Sequence, residues 1–304
     1  MAKKVKNRAA AKDFTAEMLP HDRKRQFFNI LKNRIPLILK SAIIIFVFFI
    51  PFILAASYKT VVIYGFYKQY SGGAISYENM LGYINYTEFL SSLVLVPCLT
   101  LASVPIAGVN RITRRLIFGE GILYKEDFIA GIKENGKSYA LFALFATALH
   151  ALLKFFVFYN GGGVISVVTL FVVAIIAIPY LITLVTYSNV YSSTGAELIQ
   201  NTLFAMIKSK WKILVISAAL VVPYVMIRLF SSGYLFLILL CLYILLAPVY
   251  LLFTSSMFAG TFDEAFNYLN HEEIVKKGLY ISNKEKENIH LLHLRKVEEL
   301  KKGV

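Results

Sequence analysis

Few residues in this chain have a type and spacing that could do chemistry. The sharpest match is Gly131-Ile132-Lys133-Glu134-Asn135-Gly136-Lys137-Ser138, which satisfies the phosphate-loop expression G-x-x-x-x-G-K-[ST]. That mechanism needs a strand feeding the loop and a helix leaving it, inside a parallel α/β domain. The preceding residues KEDFIA do not read as a buried strand, and no segment has room for a nucleotide-binding sheet. The spacing therefore predicts a helix, capped by Asp127, that runs on into an apolar stretch. His271-Glu272-Glu273-Ile274-Val275 begins like a zinc-protease motif, but Val275 stands where the second imidazole must be. His290 and His293 are one helical turn apart, and two ligands alone make no metal site. Cys98 and Cys241 sit in apolar runs and read as buried thiols acting as small hydrophobes. No Ser-His-Asp arrangement is locatable. The sequence thus predicts no catalytic residue, no cofactor and no metal: not an enzyme.

The elements that would position these residues are set by composition. Of 304 residues, 58% are hydrophobic and 16% charged, with a mean hydropathy of +0.63. A soluble domain is about 45–50% apolar and about 25% charged. This chain has too little polar material to cover a water-soluble core, which excludes a disordered chain, a coiled coil and a disulfide scaffold. It points to an all-α, polytopic integral membrane protein.

Six apolar runs approach the ~20 residues that a bilayer core about 30 Å thick requires. They cover 36–57, 89–109, 139–159, 164–187, 211–231 and 234–258. They show no period-2 alternation, so helices rather than a closed barrel satisfy the backbone. Asn160-Gly161-Gly162-Gly163 and Ser231-Ser232-Gly233 are short links that predict tight antiparallel hairpins for spans 3–4 and 5–6. All of the 32 Lys and Arg except Lys59, Lys68, Lys154 and Arg228 fall on one side of this arrangement. Positive residues stay cytoplasmic, so both termini are expected inside, in agreement with an even number of spans. The formal charge of +14 is mostly this bias. It argues for anionic lipid at the cytoplasmic face rather than nucleic acid. The division expected is a basic head (1–35), a membrane domain (36–258) and a charged, helical tail (259–304).

Within the head, Arg23–Arg34 interleaves Phe27, Phe28, Ile30 and Leu31 with basic residues; an interfacial amphipathic helix and a solvated basic tail both fit. The long basic stretch before span 1 reads as a retained signal anchor rather than a cleaved presequence. The connection 58–88 carries seven tyrosines; a headgroup-level aromatic belt is the simpler reading, a stacking surface for sugar or peptide the other. The tail 284–302 shows one apolar stripe that could meet the membrane or a partner. IAGIKENGK (129–137) echoes FAMIKSKWK (204–212), which fits either a duplicated unit or chance in Lys/Ile-rich sequence.

Intramembrane polar groups are functional candidates by default. His150 is the ionisable group nearest mid-membrane; Lys154 and Arg228, near outer span ends, are expected to snorkel. No Asp or Glu lies within any span, which counts against ion-coupled transport. Span 2 reads as the most broken helix: Pro97 and Pro105 bracket Thr100 and Ser103. Any ligand route is expected there, with His150.

The order Pro97-Cys98-Leu99-Thr100, Pro105, Ala107-Gly108, Arg111–Arg115, Phe118-Gly119-Glu120, Asp127-Phe128 and Ile132-Lys133-Glu134-Asn135 resembles the YesL-like family of bacterial multi-spanning membrane proteins, a domain of unknown function. The resemblance covers about 95–140, is only topological over 140–258, and does not extend to the head or tail. It implies a non-catalytic accessory role in the bacterial plasma membrane beside carbohydrate ABC importers. It places a cytoplasmic partner surface on Arg111, Arg114, Arg115, Glu120, Asp127, Lys133 and Asn135. Cytoplasmic segments 110–138 and 193–212 would face the partner. A transporter or channel in its own right, routed along span 2 and His150, is the alternative; a membrane-bound enzyme comes third.

Overall fold

In a computed structural model of the protein, residues 19–159, 164–191, 195–230, 233–268 and 271–301 are described. They are all-helical, with no strand among them. The chain runs through α1 (Arg23–Asn33), α2 (Ile35–Ser71), α3 (Tyr77–Ile117), α4 (Tyr124–Tyr159), α5 (Val164–Val190) and α6 (Gly195–Lys208). It continues through α7 (Lys210–Phe230), α8 (Gly233–Leu245), α9 (Ala247–Phe262), a π-helical turn at Asp263–Asn267 and α10 (Asn283–Lys301).

Among the described residues four helices are long and apolar enough to cross a membrane: Ile35–Ser71, Tyr77–Ile117, Tyr124–Tyr159 and Lys210–Ile227. A bent pair, Leu235–Leu245 with Ala247–Asn267, passes the same test together, as one broken span or a re-entrant loop. The fourth apolar run coincides with α5, of which the side chains of 164–175 lie outside the described residues. The Gly161–Gly163 reversal and Ser231-Ser232 also lie outside them. Large apolar side chains such as Leu39, Ile43, Leu54, Leu101, Phe145, Leu152, Val222 and Leu242 are exposed along the helices. A water-facing surface does not present apolar area on that scale, whereas hydrocarbon covers it at no cost.

The first three long helices exceed a bilayer. At about 1.5 Å per residue, the 37, 41 and 36 residues of α2, α3 and α4 run for about 55, 61 and 54 Å. The segment 58–88 is therefore no loop. It is the continuation of α2 and α3, reversing at Gly72-Gly73, where Gly73 takes φ +75°. Phe66 on Tyr83 and Tyr70 on Tyr77 zip the two arms together.

Small residues let α3 and α4 lie close. A Cβ on Gly108 would meet Phe128 at 2.5 Å, and one on Gly131 would meet the Ala107 carbonyl at 2.9 Å. These glycines belong to the phosphate-loop lookalike and its helical neighbour, and their use is packing. Residues 131–138 are interior to α4, with no loop to cradle an anion.

The sharp break falls elsewhere than expected. α3 runs unbroken through Pro97 and Pro105. The bend of 45° lies in span 6, between α8 and α9, where Pro248 occupies the first turn of α9. Proline at that position forfeits no helical hydrogen bond, so a new helix starts there at little expense.

Candidate functional site

Two groups of polar side chains stand at opposite ends of the helices. One forms at the far end, where few basic residues lie. Lys59 on α2, Glu88 on α3 and Lys154 on α4 converge: Glu88 Oε1 is 3.0 Å from Lys59 Nζ, and its Oε2 is 3.2 Å from Lys154 Nζ. The three side chains are only 11%, 17% and 23% exposed. Phe89 packs on Phe155 and Tyr86 on Phe158 beside them. Lys154 thus pairs with a carboxylate rather than reaching out alone. His150, one turn earlier on α4, has an exposed side chain within electrostatic reach of all three charges.

The literal census of the spans holds, since Glu88 lies one residue outside span 2. Glu88 is nonetheless a largely buried carboxylate, paired with a lysine from each neighbouring helix. Lys59 and Glu88 lie two and one residues beyond spans 1 and 2, whereas Lys154 lies five residues inside span 3, so their positions along the chain gave no signal of the cluster.

The second group forms at the basic end, on the corner where α3 turns into α4. Its residues are those of the family-like stretch, and most are spent internally. Arg115 Nη1 is 2.7 Å from Asp127 Oδ1, and Arg115 Nε is 3.5 Å from Glu120 Oε2. Arg111 pairs with Glu134. Arg114 Nη1 donates to the Asn189 carbonyl at 2.9 Å. Asp127 is not the residue preceding α4. It lies in the first turn and its Oδ2 reaches back to accept from the Leu123 N–H at 2.8 Å, in the manner of a capping box. Of the seven residues proposed for a partner surface, Lys133 is exposed and Asn135 half-buried, while Arg111, Arg114, Arg115, Glu120 and Asp127 are internal braces.

Residues 20–31 and 276–280 also reach this corner. Asp22 caps α1 by accepting from Arg25 N. Gln26 Nε2 donates to the Ile117 carbonyl at 2.6 Å and the Gly278 carbonyl at 2.9 Å. Lys277 Nζ is 2.7 Å from Glu120 Oε1, and the Tyr280 N–H donates to the Pro20 carbonyl. Ile30, Phe27 and Leu31 pack with Ile117, Leu252 and Ala259, so this face of α1 is turned to protein, while Phe28 stays exposed. Burial lowers the pKa of the Arg23 guanidinium, opposed by Asp263 at 3.6 Å. A hydrogen bond from Lys276 to Glu285 raises the lysine.

Beneath the corner a buried chain of amides joins α3, α4 and α5. Asn189 Nδ2 donates to the Asn110 carbonyl at 2.9 Å, Asn110 Nδ2 to Tyr139 Oη at 2.5 Å, and Tyr139 Oη to the Val185 carbonyl at 3.0 Å. Asn189 Oδ1 and Arg114 Nε have no hydrogen-bond partner among the described residues. Asn189 and Arg114 border a cavity of about 20 Å³, room for a single water.

The span-2 candidates are distributed differently. Thr100 Oγ1 donates to the Val96 carbonyl and Ser103 Oγ to the Thr100 carbonyl, so both hydroxyls serve their own helix. Pro97 is exposed and Pro105 buried. Ser103 also borders an apolar cavity of about 250 Å³ between α3, α4, α5 and α9, with Tyr139, Ala143, Ile182 and Thr254. His150 is not among its walls, so the two halves of the expected route are not brought together.

Among the described residues no group of three or more His, Cys, Asp or Glu is placed to hold a metal. His290 Nδ1 lies 3.1 Å from Glu272, and His293 Nδ1 lies 3.1 Å from the Tyr268 carbonyl. The geometry defines a class: an all-helical protein with several helices able to cross a membrane, braced by charge clusters at both ends of the bundle. Comparison with family models, curated proteins and solved structures finds no significant match to this chain.

Proposed function

We propose that this chain is a six-span protein of the bacterial plasma membrane, with both ends cytoplasmic, and a non-catalytic accessory partner of a carbohydrate uptake system of the ABC-importer type. The YesL-like pattern over 95–140 motivates the partner class. The observation that carries the reading is the braced basic end. The α3–α4 corner, α1 and the 276–280 segment are cross-linked by Arg115–Asp127, Glu120–Lys277 and the Gln26 hydrogen bonds. Such a corner is rigid before any partner arrives, and a pre-formed surface loses little entropy on docking. Lys133, Lys137 and Glu134 on α4 remain exposed beside it. Reporter fusions at Gly162 test the topology, with an outward-facing reporter expected. Co-purification in mild detergent tests the partner; recovery of no importer subunit counts against it.

A second reading is favoured by one feature alone. The Lys59–Glu88–Lys154 cluster with His150 supplies the buried carboxylate that an ion-coupled transporter uses. Solute flux into vesicles holding the pure protein, abolished by Glu88→Gln, separates this reading from the first.

A further inference from the structure

Helix α6 carries three distinct faces. Leu198, Thr202, Ala205 and Met206 turn inward onto Tyr187, Phe262 and Phe266, and Thr202 and Ala205 are fully buried. Glu197 and Lys208 are polar and exposed, and Gln200, also exposed, stands at the edge of the third face beside Ile207. The third face is a row at four-residue steps, Ile199, Leu203, Ile207 and Trp211, exposed by 51%, 41%, 67% and 73%. An amphipathic helix needs one apolar stripe to join its core. This helix has a second, pointing away from the protein.

What covers that row is indicated by its continuation. It passes Ser209 and runs up α7 as Leu214, Val215 and Val222, all exposed. α6 is also held against the basic ends of its neighbours instead of projecting from them. Asn201 Nδ2 donates to Tyr187 Oη at 2.9 Å near the end of α5, and Lys212 Nζ to Thr261 Oγ1 at 2.9 Å near the end of α9. Lys208 and Lys210 are exposed on either side of the junction, and the only tryptophan of the chain stands between them and Lys212. Tryptophan and lysine at a helix bend are the side chains that settle at a lipid headgroup layer.

We propose that α6 is an interfacial helix that binds anionic phospholipid, with Ile199, Leu203, Ile207 and Trp211 in the acyl boundary and Lys208 and Lys210 on lipid phosphates. This rests on the reading of α7 as a membrane-crossing helix. Both stripes then have a role, one joining α6 to the bundle and the other laying it on the bilayer.

The sole tryptophan makes the test direct. In a Trp211→Phe background, the full chain carrying Leu203→Trp, Ile199→Trp or, as control, Val222→Trp is reconstituted into phosphatidylcholine vesicles brominated high on the acyl chain. Strong bromolipid quenching at 203 and 199, with protection from iodide, is expected. Quenching by iodide alone places α6 in water and overturns the proposal. Shielding from both quenchers means that protein covers the row, and overturns it as well. If the control at 222 also escapes bromolipid, the membrane reading of α7 falls first and takes this proposal with it. When bromine is carried only by phosphatidylglycerol, Lys208→Gln and Lys210→Gln should each lower the local preference for that lipid roughly five-fold, the equivalent of about 1 kcal/mol per surface lysine. Unchanged quenching would remove the anionic component.

Discussion

Replacing Glu88 by Gln tests the far-end cluster most directly. Gln keeps the shape and one carbonyl acceptor but removes the negative charge that Lys59 and Lys154 share at 3.0 and 3.2 Å. At an effective dielectric of about 20, each pair at this distance is worth roughly 5 kcal/mol of Coulomb attraction before desolvation. Removing one partner of a buried pair costs about 3–5 kcal/mol, because the remaining charge stays buried without compensation. The partial exposure of these side chains brings the expectation to the lower end, about 3 kcal/mol. Lys154→Met should behave oppositely. It leaves the Lys59–Glu88 pair intact and removes the surplus positive charge, so about 1 kcal/mol or less is expected. The double variant, which carries one positive charge fewer than Glu88→Gln, should recover about half of the Glu88→Gln loss. Thermal unfolding in a single detergent, followed for all four proteins, reads these differences. Equal losses for Glu88→Gln and Lys154→Met, or no loss for either, would refute the idea that Glu88 neutralises the cluster.

Other substitutions probe the basic end. Gly278 takes φ +82°, and a Cβ there would lie 2.1 Å from the Ile117 carbonyl, so Gly278→Ala should cost about 2–4 kcal/mol and speed proteolysis after α9. Asp127→Asn keeps an acceptor for Leu123 N–H but loses the Arg115 pair; about 2 kcal/mol is expected in the same unfolding assay. Gly131→Leu wedges α4 off α3 and should lower yield and melting temperature together, whereas exposed Lys137→Ala should shift stability by no more than about 0.5 kcal/mol. A large effect at Lys137 would reopen the phosphate-loop reading that its helical setting argues against.

The apolar helices were legible in the sequence because that property is local: each residue contributes its own transfer free energy, and about twenty in a row suffice whatever the neighbours do. The fate of the prolines was not. Pro97 and Pro105 leave α3 continuous, while Pro248 begins a new helix, and nothing in a proline's own chemistry separates these cases.

Charge pairing depended on tertiary structure throughout. Lys59, Glu88 and Lys154 are far apart in sequence, and Lys154 reads singly as a snorkelling residue. Only the packing of α2, α3 and α4 brings their heads within hydrogen-bond distance, and an ion pair falls off too steeply with separation and solvent exposure to be read from spacing alone. The same holds for Arg111, Arg114 and Arg115. As a sequence they are a basic cluster ready for a partner; folded, they are turned onto Glu134, the Asn189 carbonyl and Asp127. The amino-acid sequence by itself determined which segments would be helical and apolar. The tertiary structure decided which charges were used up inside, because desolvation forces each buried ionic group to find its partner among whatever the fold brings near.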